Sequence, residues 1–386
     1  MRVCGIIAEY DPFHKGHLFQ LSEAKKRSEA DYMVCVISTA FTQRGLPALF
    51  STHDRALMAL RSGADLVLGM PVDYSCAQAN RFAMGGAGIL HALGAVTHIS
   101  FGVEESVLPH ISAAAALVRE PTADYTRALG DALDRGESFA RAQGQALAAS
   151  LCADAGKVLD KPNFNLAISY IQALSALQSG IEPLPVIRRG DYHDTRLNPF
   201  PSATAVRGAI LRGDWISAQA ALPPETFSIV EQNAMQRGFH LPGSLDSVLL
   251  SCLLGRHDFS DIDEISEGLD RRILKYVPQA SSRRHLIDLV KTKRYPYARI
   301  SRALTHCLLD IRKKPFRPPD YARLLGMRKS AAPLLERAGQ SGFPLITRPA
   351  KENHPGIAQD MRAEELWYIG AGLPAASAWQ KRMIIV

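Results

Sequence analysis

Along the first half of the chain, short apolar runs alternate with longer segments whose apolar residues recur at helical spacing. Residues 2–9 (Arg-Val-Cys-Gly-Ile-Ile-Ala-Glu) read as a buried strand. A turn follows at Tyr10-Asp11-Pro12-Phe13, where the proline holds Asp11 in extended geometry. Over 16–30, Leu18, Leu21 and Ala24 fall on one side and predict a helix. Residues 31–38 form a second apolar run. Residues 52–62 predict an amphipathic helix carrying Ala56, Ala59 and Leu60 on one face. A third strand is expected at 64–69, a helix at 81–93 closed by Gly94-Ala95, and a fourth strand at 97–102. Strands and helices in this alternation predict βαβ units and a parallel sheet, an α/β fold. Residues 105–182 read as almost all helix, ending in a helix over 164–179, with a further strand at 184–188, a loop at 189–201 and a helix after Ser202. From about 225 the pattern predicts helices without clear strands. The expected organisation is an α/β unit over 1–220, with a helical insertion around 105–180, and a mostly helical unit over 221–386.

Composition narrows the class. The chain has 386 residues, 47% hydrophobic and 22% charged, in the ordinary globular range and long enough for two or three domains. The apolar run Val34–Ser38 is far short of the ~20 residues of a membrane span, so no membrane partner is expected. The N-terminus runs straight into a strand, with no secretory pattern expected. The cysteines at 4, 35, 76, 152, 252 and 307 are scattered without a C-x-x-C pair. That argues against a disulfide scaffold or zinc ribbon and fits buried thiols in a reducing cytoplasm. No protein-bound metal is expected from this pattern, and oligomeric state is not legible.

The net charge of +7 is unevenly placed. Residues 281–330 hold 14 Lys/Arg against 3 Asp/Glu, a local +11, which leaves −4 for the remainder. A concentrated positive segment points to a polyanionic partner.

Two motifs carry chemistry. The first, Tyr10-Asp11-Pro12-Phe13-His14-Lys15-Gly16-His17, stands where the first strand turns into the first helix and contains the pattern H-x-G-H. A helix N-terminus offers free N–H groups to an anion. Gly16 lets backbone approach a phosphate, His14 and His17 can donate to phosphate oxygens, and Phe13 would close the pocket floor. The second is Ser202-Ala203-Thr204-Ala205-Val206-Arg207. Alone it reads as a helix cap. Beside the first motif, Ser202, Thr204 and Arg207 form the other half of a triphosphate site.

Both motifs resemble the nucleotidylyltransferase superfamily, which binds ATP on a Rossmann-like sheet. The resemblance narrows to the bacterial tRNA(Met) cytidine acetate ligase family. It is carried by residues 5–18, Gln43-Arg44-Gly45-Leu46-Pro47-Ala48, 63–68, Ser100-Phe101-Gly102, Pro162-Asn163-Phe164-Asn165, Tyr192-His193-Asp194, 202–207, 293–300 and 321–326. What it implies is a ligase that activates acetate with ATP to acetyl-adenylate. It then acylates N4 of the wobble cytidine of elongator tRNA(Met), with Mg²⁺ accompanying ATP. By resemblance the ATP site comprises Ile7, Ala8, Glu9, Tyr10, Asp11, Pro12, Phe13, His14, Lys15, Gly16, His17, Leu18, Phe19 and Gln20, together with Gly102, Asn163, Arg188 and Arg189. His14 and His17 are the expected catalytic pair. The family usually has Asn where Asp11 stands, so Mg²⁺ or Lys15 is expected to offset that added carboxylate. Either Asn163 or Asn165 meets ATP.

In the basic segment Arg283, Arg284, Lys291, Lys293, Arg294, Arg299 and Arg302 are expected to meet RNA phosphates, with Tyr295, Tyr297 and Phe316 stacking on bases. Trp367 and Trp379 read as core. Two other readings remain open at this point: a small-molecule adenylyltransferase, and a non-catalytic RNA-binding protein with a vestigial nucleotide site.

Overall fold

The computed structural model describes residues 1–104, 108–137, 139–151, 162–188, 201–236 and 238–386. Strands β1 (Val3–Ala8), β2 (Tyr32–Ser38), β3 (Leu66–Met70), β4 (His98–Val103) and β5 (Glu182–Ile187) pair in parallel in the order β5-β4-β1-β2-β3. Val, Ile, Leu and Met fill these strands because a parallel sheet is covered on both faces. One face packs under the Ala79–Ala92 and Pro162–Ala176 helices, and the other under Lys15–Ser28, Thr52–Arg61 and Ala203–Leu211. The helical insertion contributes Leu108–Arg119, Ala123–Asp134 and Phe139–Ser150.

Between β1 and β4 the order of connection reverses. In an open parallel sheet this switch point opens a crevice beyond the carboxyl ends of the strands. The H-x-G-H turn leaves β1 there.

The C-terminal half departs from the expectation of helices alone. Strand β6 (Ala322–Met327) lies antiparallel to β3 and extends the sheet; β7 (Leu345–Ile346) and β8 (Ile384–Ile385) share the outer edge of β6. All six residues of β6 are buried. A short buried run flanked by helices has no periodicity to separate strand from buried helix, which is why it was not legible. The sheet thus takes strands from both sides of residue 220. The remaining C-terminal residues are mostly helical, around a core of Leu286, Ile287, Ile300, Leu304 and Trp367. Trp367 is fully buried and donates its indole N–H to Ala48 O at 2.6 Å. Trp379, expected in the core, is 40% exposed. Cys4, Cys35, Cys76, Cys252 and Cys307 are free thiols. Among the described residues no helix is long and apolar enough to cross a membrane.

Candidate active site

A cavity of about 400 Å³ opens at the switch point. It is lined by Ile7–Asp11 from the end of β1, His14, Gly16, His17, Phe19 and Gln20 from the turn and first helix, and Gly102, Asn163 and Arg188. Ser202, Thr204 and Arg207 come from the Ala203–Leu211 helix and its cap. The structure therefore brings the two motifs, nearly two hundred residues apart, to one cavity.

The turn is built by its own histidines. His14 is the N-cap of the Lys15–Ser28 helix, and its Nδ1 accepts the Gly16 N–H at 3.1 Å. His17 Nδ1 accepts the His14 N–H at 3.3 Å. The rings stack with centroids 3.7 Å apart. A ring nitrogen that accepts an N–H carries no proton, so each ring is an Nε2–H tautomer. Burial, together with Arg188 and Arg207, lowers the His14 pKa to about 3. Burial, then His14 and Arg188, holds His17 well below its ordinary value. Both are neutral Nε2–H donors at pH 7. A Cβ on Gly16 would meet the His14 ring at 2.9 Å, so this glycine makes room for the cap. Phe13 is buried beneath, edge-on to Tyr10 at 4.7 Å, and supports the floor without lining the cavity.

Asp11 is 3% exposed, and its carboxylate faces backbone. Its oxygens accept the Leu49 N–H at 2.8 Å and the Phe50 N–H at 3.3 Å, and Arg207 stands 3.7 Å away. Arg207 also donates to Asp11 O and to Thr204 Oγ1. The extra carboxylate is thus offset by amides and Arg207. Lys15, expected to do this, instead donates to Ala220 O at 2.6 Å, away from the cavity. Pro12 and Leu18 also lie off the lining. Ser202 caps its helix by accepting the Ala205 N–H. Asn163 accepts from Arg188 at 3.3 Å and donates to Glu104 at 2.7 Å, whereas Asn165 is off the lining. Of the two asparagines, Asn163 faces the cavity. Arg189, Tyr192, His193 and Asp194 lie outside the described residues.

Sequence reasoning left two features out of the site. Arg55 is fully buried and donates to Glu9 O, Ser38 O, Thr39 O and Phe50 O, tying the ends of β1 and β2 together. The loop Thr42–Pro47 forms one wall. Its Gln43 N–H donates to Glu9 Oε1 at 2.7 Å. Its tip, Gly45, has φ +71° and lies so close to the Tyr297–Leu309 helix that a Cβ would stand 2.6 Å from Arg302 N. Arg283 and Thr305 both donate to Gly45 O. This loop was legible as a resemblance segment, but nothing local signalled its anchor.

That anchor corrects the reading of the basic segment. Arg283 turns inward to Gly45 and Ser301. Arg299 pairs with the half-exposed Glu267 at 3.0 Å, and Arg302 with Glu264 at 3.0 Å in a largely buried pair. Tyr295 is buried and donates to Glu267 O. Lys291, Lys293, Arg294 and Arg284 are exposed, as is Phe316; Tyr297 is half-buried under Arg284. Arg284 pairs with Asp288, and Arg294 pairs with Glu267.

A 3-2-1-4-5 parallel core with an H-x-G-H turn at its switch point and an S-x-T-x-x-R helix across the crevice defines a nucleotidyl transferase. The HIGH Nucleotidyl Transferase family model matches residues 1–381. Among curated proteins, the tRNA(Met) cytidine acetate ligase of Caldanaerobacter subterraneus subsp. tengcongensis is 36% identical over 359 residues, 91% of this chain and 90% of that protein. The protein of that name from Clostridium acetobutylicum is 32% identical over 406 residues, covering 100% of both. The chain belongs to the tRNA(Met) cytidine acetate ligase family. Two crystal structures of Thermotoga maritima TmcAL, each 27% identical and covering 100% of both chains, superpose on it: one bound with alpha-thio ATP (TM-score 0.90), one without ligand (TM-score 0.92).

Proposed function

We propose that this protein uses ATP to activate acetate as acetyl-adenylate and transfers the acetyl group to N4 of the wobble cytidine of elongator tRNA(Met), releasing pyrophosphate and AMP. The observation that carries this reading is the convergence of two Nε2–H imidazoles, Ser202, Thr204 and Arg207 on one switch-point cavity in a chain of this family.

Acetate is already an anion, so its attack on the α-phosphorus needs no base. The barrier is alignment and mutual repulsion. The N-terminus of the Lys15–Ser28 helix and the two imidazoles donate to phosphate oxygens as charge moves toward pyrophosphate. Arg207, held between Asp11 O and Thr204, supplies a fixed positive charge across the crevice. Gly102, Asn163 and Arg188 support the nucleoside end. No group of three or more His, Cys, Asp or Glu that could hold a metal is found among the described residues. Mg²⁺ entering with ATP would offset phosphate charge there.

The exposed Arg284, Lys291, Lys293 and Arg294 supply phosphate contacts for tRNA, with Phe316 free to stack. The wobble base lies in a single-stranded loop, so it can enter a pocket without breaking a duplex. Such a reaction belongs in the cytoplasm, where reduced thiols also persist.

The test is incubation of the purified protein with ATP, labelled acetate and unmodified tRNA. Label on tRNA cytidine is expected. AMP transferred to a small molecule, with the RNA unlabelled, overturns the reading in favour of an adenylyltransferase.

A further inference from the structure

The two halves of the reaction make different demands. Adenylation needs no base. Acetyl transfer does, because the exocyclic amine must lose a proton as the amide forms. The cavity offers few groups able to take it. His14 and His17 each spend the Nδ1 lone pair on a backbone N–H and present a protonated Nε2, so neither has a free lone pair. Asp11 is buried, and its carboxylate is held by the Leu49 and Phe50 amides beside Arg207. Among the described lining residues the one remaining carboxylate is Glu9. It stands at the carboxyl end of β1, where the switch-point crevice opens. Its Oε1 is fixed by the Gln43 N–H at 2.7 Å, and Oε2 has no hydrogen-bond partner among the described residues. One oxygen orients the group while the other stays available.

From this placement we infer that Glu9 is the general base of the acetyl-transfer step. The inference rests on the ligase reading above. Cytidine N4 attacks the acyl carbon of acetyl-adenylate, the C–N bond forms, and the acyl C–O bond to phosphate breaks with its electron pair leaving on AMP. The N4 proton passes to Glu9 Oε2 and then to solvent, so the step needs no further reactant.

Glu9 faces Asp11 on its own turn, Arg44 on the covering loop, Arg55, Cys76, Tyr170 and Arg207. Burial outweighs the Gln43 bond and the arginines, and its pKa lies above the ordinary carboxylate value. The base acts when ionised, so transfer rises with pH through that raised pKa.

The experiment separates the half-reactions in the full-length protein. Acetate-dependent exchange of labelled pyrophosphate into ATP reports adenylation, and single-turnover acetylation of unmodified tRNA reports transfer. Glu9→Gln keeps an acceptor for the Gln43 N–H but cannot take a proton. It is expected to lose about 10²–10⁴-fold more in transfer than in exchange, and to lose the pH dependence of transfer. Glu9→Asp, which retains a carboxylate, is expected to transfer faster than Glu9→Gln and to keep a pH dependence. Transfer by Glu9→Gln within threefold of wild type overturns the assignment. So does a parallel loss of both halves, which would make Glu9 a brace for the nucleotide site. Wild-type protein that shows no acetate-dependent exchange would instead contradict the ligase reading itself.

Discussion

Two imidazoles stacked 3.7 Å apart, each with its Nδ1 taken by a backbone N–H, leave one useful atom apiece. That arrangement leaves His14 and His17 as neutral N–H donors at the cavity, and it predicts a pH dependence of stability. The His14 pKa falls from an ordinary 6.5 to about 3, and His17 moves the same way. Above about pH 6.5 neither the folded nor the unfolded chain binds these protons. Below it the unfolded chain takes them up and the folded chain does not, so stability falls as pH drops toward the folded values. For one such histidine this is roughly 2 kcal/mol by pH 5. His14→Asn keeps a cap acceptor for the Gly16 amide and removes one titration. Its melting temperature should fall less between pH 7 and pH 5 than that of wild type; identical pH slopes would contradict the account. His17→Ala should lower acetylation about 10²–10³-fold and leave tRNA retention unchanged, measured by filter binding. Equal loss of both would argue against separate ATP and RNA surfaces.

Among the elements, the Thr42–Pro47 loop connects the nucleotide cavity to the C-terminal helices. Its cavity side carries Gln43 and Arg44, and its tip is held by Arg283 and Thr305. Arg283→Met removes the donor shared by the Gly45 and Ser301 carbonyls while Thr305 still donates to Gly45 O, and each lost hydrogen bond costs about 0.5–1.5 kcal/mol. The variant should raise the KM for ATP and lower Tm, with the salt dependence of tRNA binding unchanged. Lys293→Ala should do the reverse, reducing that salt slope by about 0.7–0.9 with KM for ATP intact. An altered slope in Arg283→Met would return that residue to the RNA path. In sequence these two cations look alike. Arg283 points inward because Gly45, more than two hundred residues earlier, presents its carbonyl there, and no local pattern records such a partner. The H-x-G-H turn was legible for the opposite reason: its cap, its glycine and its helix N-terminus are all local. Strand β6 is not legible because all six of its residues are buried, Arg323 among them in an ion pair with Glu364, and so no alternation marks a strand.

For the whole molecule, the sheet and the charge distribution tell the same story. Half of the fourteen basic residues over 281–330 are ion-paired once folded: Arg284 with Asp288, Arg294 and Arg299 with Glu267, Arg302 with Glu264, Arg312 with Asp261 and Asp310, Lys314 with Asp73 and Arg323 with Glu364. What remains exposed is a smaller cationic face around Lys291, Lys293 and Arg294. The C-terminal half also covers the edge of β3 with β6, fills around Trp367 and anchors the cavity loop. A fragment ending at residue 220 should therefore be poorly soluble and fail to bind ATP by calorimetry. A soluble, ATP-binding fragment would show that the first 220 residues fold alone. The central claim is that one cavity makes acetyl-adenylate and one RNA-facing surface delivers the cytidine to it. Its most direct measurement is mass analysis of elongator tRNA(Met) digested after incubation with the protein, ATP and acetate. The account predicts one added acetyl group on the anticodon wobble cytidine, absent when ATP or acetate is withheld. An unmodified anticodon fragment alongside ATP consumption would contradict it.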